Sequence, residues 1–210
     1  MIPDGLLDPA RLWSRSEVLG TPSPVPRSPG VYAWYFDQVP PGISATRCHR
    51  LGDRTLLYVG ISPKEPPKNG APESRQTLRS RLRTHFSGNA AGSTLRLTLG
   101  CLLSASLGLA LRRVGSGRRY TFTNPGEREL DEWMARNAFV AWITADRPWD
   151  IERQLLGSGL VLPLNIHGNS SGSTKTLSAV RSAAKRNADA LPILPDSGGL
   201  RRVREVVDGL

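Results

Sequence analysis

The sequence predicts an α/β protein of the α+β kind: a small antiparallel central β-sheet flanked by helices. Three observations predict it. Two runs of β-branched and aromatic residues, "GVYAWYF" (30–36) and "TLLYVGIS" (55–62), have strand character. No helical pattern lies between them, so they are expected to pair antiparallel. A third run, "AFVAWIT" (138–144), has the same character, and elsewhere apolar residues recur at helical spacing.

Taken in order, residues 8–19 read as a short helix and "TPSPVPRSPG" (21–30) as an extended leader, since its prolines exclude a helix interior or a central strand. Strand one follows at 30–36, a loop with Pro40, Pro41 and Gly42, and strand two at about 55–60. The polar stretch 62–76 is a surface loop. "TLRSRLRTHF" (77–86) is helical, with Leu78, Leu82 and Phe86 at i, i+4 and i+8. The turn at 87–94 ends in residues able to cap a helix from 95 to about 106. A hairpin is expected at 109–123 around Gly115-Ser116-Gly117, then an amphipathic helix at 126–137 and the third strand. A helix at 147–156 has a proline suited to its first turn. A loop at 161–173 leads to a basic helix at 176–191. The tail from 195 is read as frayed or as one more short helix. These elements suggest a leader (1–27), a main domain (28–168) in which 109–137 is an insertion, and a C-terminal basic helix and tail (169–210).

Charge is the strongest bulk signal. The 210 residues carry 28 Lys+Arg against 18 Asp+Glu, a formal net charge of +10. Such a balance favours a polyanionic partner, nucleic acid above all. Two widely separated cysteines, Cys48 and Cys101, argue against a zinc cluster or a disulfide framework. The N-terminus lacks the features of a signal peptide, and the most apolar run, 95–111, is too short and too interrupted by Arg96 to span a membrane. A cytoplasmic protein, associated with the nucleoid when bound, with no membrane contact and no obligate protein partner, is the expectation.

Several polar side chains stand out. On a wheel of the 147–156 helix, Glu152 falls among Ile151, Leu155 and Leu156. An inward carboxylate needs either a cationic partner or a metal. On the 77–86 helix, Arg81 and His85 run along one flank of the apolar stripe, and Arg79 and Arg83 along the other. The first flank could clamp a phosphate and share a proton. Tyr32 and Tyr58 sit near glycines on neighbouring strands. Arg112, Arg113, Arg118 and Arg119 flank the hairpin turn, where they could grip backbone phosphates.

In order along the chain, "GVY" (30–32), "YVG" (58–60), "LRSRLRTHF", an inward Glu152 and "LPLN" (162–165) resemble the GIY-YIG nuclease superfamily. "STLRLTLGCLL" and the tail resemble its small stand-alone actinobacterial members. The resemblance implies a GIY-YIG endonuclease-like fold and a metal-dependent endonuclease that hydrolyses DNA, double-stranded or branched. It implies Tyr32, Tyr58, Arg81, His85, Glu152 and Asn165 as catalytic residues and Glu152 as the ligand of Mg²⁺ (or Mn²⁺). The family carries a lysine just after its second motif, whereas Ile61 stands here, and Lys64 is the expected substitute. Lys64, Arg79, Arg83 and the hairpin arginines would bind nucleic acid. The alternative is a catalytically degenerate member that only binds nucleic acid, for which Ile61 is the main support.

Overall fold

A computed structural model describes residues 4–195, apart from 68, 70, 71, 73 and 167–172. The tail helix expected beyond 195 lies outside the described residues. Four strands form the main sheet: β1 (Gly30–Phe36), β2 (Arg50–Leu51), β3 (Arg54–Ser62) and β6 (Ala138–Thr144), in the order β2-β3-β1-β6. Every pairing is antiparallel, as expected for strands one and two. A separate hairpin joins β4 (Arg112–Val114) to β5 (Arg119–Thr121).

β1 is central and buried along its whole length, which its unbroken apolar and aromatic sequence requires. Its side chains alternate between two cores. Tyr32, Trp34 and Phe36 enter the larger one, with residues of α3 (Leu78–Ser87), α4 (Thr94–Leu102) and α6 (Thr123–Asn137). Val31, Ala33 and Tyr35 enter the smaller one, with Leu155 of α7 (Pro148–Gly157). The register of β3 slips once: Trp34 faces Tyr58, but Tyr35 faces Leu56. Leu57 is therefore a β-bulge, and Leu57 and Tyr58, though consecutive, both join the larger core.

The N-terminal segment differs from the single helix expected over 8–19. It forms α1 (Asp4–Leu7) and α2 (Arg15–Leu19), with Trp13 between them. The backbone of Trp13 donates to Val140 O (2.9 Å) and accepts from Val140 N (3.0 Å), so this segment covers the edge of β6. A residue committed to a sheet edge cannot also continue a helix. The helix expected at 95–106 likewise divides into α4 and α5 (Ser104–Leu107), and α6 starts three residues earlier than expected. The last helix is α8 (Ser173–Asp189), which packs against α4 and β4. Among the described residues no helix is long and apolar enough to cross a membrane.

Arg96 of α4 is fully buried and holds the helical side together. Its Nε donates to Glu127 Oε2 (3.0 Å). Its Nη1 donates to Asp131 Oδ1 (2.7 Å) and His85 O (3.2 Å), and its Nη2 to Glu127 Oε2 (2.6 Å) and Glu127 O (3.0 Å). All of a guanidinium's N–H donors are thus used. Asp131 Oδ2 also accepts from Arg15 of α2 (3.0 Å), while Glu127 Oε1 accepts from the backbone of Ala90 and Phe122. Removing one member of a buried ion pair strands the others, at a cost of roughly 3–5 kcal/mol. Arg96→Leu is expected to lose stability on that scale in urea unfolding. Unchanged stability would show that the network is dispensable.

Candidate active site

A cavity of about 590 Å³ opens beside the β1–β3 pair. Tyr32 of β1, Tyr58 of β3, Arg81 of α3 and Glu152 of α7 all line it, as do Lys64 and Asn165. α7 places its apolar face in the smaller core, across the sheet from the phenols. Glu152 nevertheless lines the same cavity, as do Gly60 and Ile61 of β3.

Both glycines of the two strand motifs are present for close approach. A Cβ on Gly60 would lie 2.6 Å from Tyr32 Oη, and one on Gly30 would lie 2.2 Å from Ile143 O. Gly60 therefore lets the Tyr32 phenol lie close against the neighbouring strand. Asn165 fixes the other side of β3. Its Oδ1 accepts from Val59 N and its Nδ2 donates to Val59 O, both at 2.9 Å, while Leu164 N donates to Leu57 O. The Asn165 amide on one side and the Leu164 backbone on the other thus hold β3 on either side of Tyr58.

Tyr32 is at the head of a buried hydrogen-bonded chain. Its Oη lies 2.9 Å from His85 Nε2 and accepts from Arg81 Nε (3.3 Å). His85 Nδ1 lies 2.7 Å from Ser93 Oγ, and Ser93, the N-cap of α4, accepts from Arg96 N (3.1 Å). His85 does not line the cavity; it stands behind Tyr32. Burial, with the charges of Arg81 and Arg96, holds the imidazole well below its ordinary 6.5, so it is neutral near pH 7. Burial also raises the Tyr32 phenol far above its ordinary value, with Tyr58 adding to the rise and Arg81 opposing it. Tyr58 is half-buried. Burial raises its pKa too, while the Arg81 charge and hydrogen bonding from Thr94 and Tyr32 pull it down.

Arg81 spends Nε on Tyr32 and Nη1 on Gly92 O (3.2 Å), and its Nη2 makes no hydrogen bond among the described residues. Glu152 is half-buried and makes no hydrogen bond or ion pair among the described residues. Burial raises its carboxyl pKa, with Lys64 and Arg153 opposing. Among the described residues, the salt bridge that could have explained an inward glutamate is therefore not formed. No cluster of three or more metal-ligating side chains occurs among the described residues, so a cation here would rest on one carboxylate and water.

A family model described as GIY-YIG catalytic domain matches residues 30–186, most of the chain. The chain belongs to the GIY-YIG family. No curated protein and no solved structure matches it. In this GIY-YIG domain, the four side chains that the sequence singled out on two strands and two helices meet at one cavity.

The remaining candidates are distributed differently. Lys64 lines the cavity, and Ile61 lies on its wall. Arg79, Arg83, Arg112, Arg113, Arg118 and Arg119 do not line it. Arg79 donates to the leader carbonyls Val25 O (2.6 Å) and Ser23 O (3.3 Å). Arg112 donates to Pro192 O (3.1 Å), and Arg113 to Asp189 O (2.9 Å) and Leu191 O (3.3 Å). Arg83 and Arg118 are exposed. Three contributors escaped the sequence reading: Ser93 and Thr94, which hold His85 and Tyr58, and Arg181 of α8, which lines the cavity. Ser93 was legible as a helix cap, but nothing in the sequence ties a cap to a distant histidine.

Because His85 is held neutral, the unfolded chain binds a proton near pH 6.5 that the folded chain refuses. Its contribution to stability is complete above that pH and falls as pH drops below it, by up to about 1.4 kcal/mol per pH unit. Urea unfolding at pH 7, 6 and 5 should show a shallower decline for His85→Gln than for the wild type. Parallel declines would mean that the imidazole is not the group responsible. Gly60→Ala should displace Tyr32, leaving a folded protein with at least tenfold lower activity. An active Gly60→Ala protein would show that the phenol's placement against β3 is unimportant.

Proposed function

We propose that this protein is a metal-dependent endonuclease that hydrolyses DNA phosphodiester bonds. The observation that carries the reading is a free carboxylate, Glu152, sharing one cavity with Tyr32, Tyr58 and Arg81. The residues present fit a hard divalent cation: a carboxylate without an ion pair among the described residues, facing a roomy cavity, suits an ion that keeps most of its water. Glu152 would hold Mg²⁺ or Mn²⁺, which supplies Lewis acidity and stabilises the departing alkoxide.

The chain's own groups would do the rest. Arg81, with Nη2 uncommitted, donates to the non-bridging oxygens as they gain charge. Tyr32 is too deeply buried to work as a standing phenolate. It orients the attacking water instead: Oη accepts a hydrogen bond from the water while its own hydroxyl donates to His85 Nε2. This requires the tautomer in which His85 Nδ1–H donates to Ser93 Oγ and leaves Nε2 as acceptor. Ser93 Oγ can accept both that bond and the one from Arg96 N. Tyr58, the more accessible phenol, relays the proton: Oη takes one from the attacking water while its own hydroxyl proton passes to solvent in the cavity. Lys64 supplies the ammonium that Ile61 cannot, beside Glu152. Asn165 keeps β3 in register and does not react.

Nicking of supercoiled plasmid with Mg²⁺ against EDTA tests the reading. Glu152→Ala should lose at least about a thousandfold in cleavage rate while binding DNA as well as the wild type. Wild-type protein that binds DNA yet cuts no substrate with Mg²⁺ or Mn²⁺ would overturn it in favour of a binding module.

A further inference from the structure

The charges on the cavity wall do not balance. Arg153 is committed to Asp150 and to Glu65 (2.9 Å). Arg81, Lys64 and Arg181 also line the cavity and form no salt bridge among the described residues, against one carboxylate, Glu152, that likewise forms none there. Two of these three cations are guanidiniums carried on separate helices, α3 and α8. Between them, Thr94 and Thr98 of α4 contribute to the same wall. Like charges gathered in a concave site raise the local concentration of a polyanion.

Arg181 owes its place to the packing of α8. Leu177 and Ala188 are buried, and Val180 and Ala184 pack on the larger core, which gives α8 one apolar stripe. Arg181 lies one turn after Leu177, on the border of that stripe and half-buried. Its guanidinium is near enough to Cys101 of α4 to oppose the burial that pushes that thiol up to about 11. Lys175 and Arg186 lie on the opposite side of the helix and are exposed. The chain thus carries an internal contrast: one arginine of α8 turned into the cavity and two basic residues turned away.

We propose that Arg181 is a second phosphate clamp, gripping the DNA backbone phosphate next to the one that Arg81 holds. The proposal rests on the endonuclease reading for the identity of the Arg81 phosphate. It assigns to the C-terminal helix a direct part in substrate binding. A guanidinium offers bidentate donors to phosphate and carries no base information, so its effect falls on affinity at any sequence.

The test uses the full chain and a short duplex DNA, with binding measured by fluorescence anisotropy in EDTA over a range of salt and cleavage measured with Mg²⁺. Arg181→Gln should weaken binding about tenfold, raise KM in step, leave kcat within about threefold, and lower the slope of log K against log salt by about one. Arg181→Lys should recover part of the affinity, and Arg186→Gln should match the wild type. The proposal fails if Arg181→Gln binds with unchanged affinity and salt slope. It also fails if Arg186→Gln loses as much, since general charge would then suffice. Binding that depends on Arg181 in a protein that cuts nothing would sink the endonuclease reading and leave the clamp. Cleavage that ignores Arg181 would sink the clamp alone, and absence of any DNA binding would sink both.

Discussion

Arg96 is the interaction on which the rest of the molecule depends. A guanidinium with no exposure is costly unless every donor is used, and here all of them are. Meeting that demand fixes α4 against α6 through Glu127 and Asp131, and against the end of α3 through His85 O. Arg15 extends the network to α2 through Asp131. Hydrophobic contact alone would tolerate sliding among these helices, whereas a fully satisfied ionic network tolerates very little. The same residue's backbone N–H donates to Ser93, which holds His85, which in turn meets Tyr32. Structural and chemical networks are therefore continuous.

The sheet contributes a second constraint. Tyr32 and Tyr58 share a face because Tyr32 pairs with Gly60 and Trp34 with Tyr58 in unbroken register; the bulge at Leu57 lies beyond them and adds Leu57 to the same side. Gly60 leaves room for one phenol, and Asn165 locks the strand segment that carries the other. Gly60 acts through the backbone, while Asn165 acts through a side-chain amide delivered by the buried loop at 161–166.

Basic residues in this protein do two different jobs. Arg15, Arg79, Arg96, Arg112 and Arg113 are spent on carboxylates or carbonyls inside the fold. Arg81, Lys64 and Arg181 are left with the cavity. A net charge of +10 counts both kinds together, so it suggests a polyanionic partner without locating its binding surface.

The sequence by itself determined the three main strands, the antiparallel pairing of the first two, and every major helix to within a few residues. Those signals are local: strand composition, helical periodicity, caps and turns. It also marked Glu152 as inward-facing, because a carboxylate inside an apolar arc is visible on a wheel. The same test would have marked Glu127 and Asp131, which share the arc of Leu130 and Met134. Only the tertiary structure decided that Glu152 forms no salt bridge among the described residues while those two do, that Trp13 belongs to the edge of β6, and that Arg79 serves the leader while Arg181 serves the cavity. Each of these depends on which side chain arrives opposite, and that is set by how distant elements pack, a relation that no local pattern encodes.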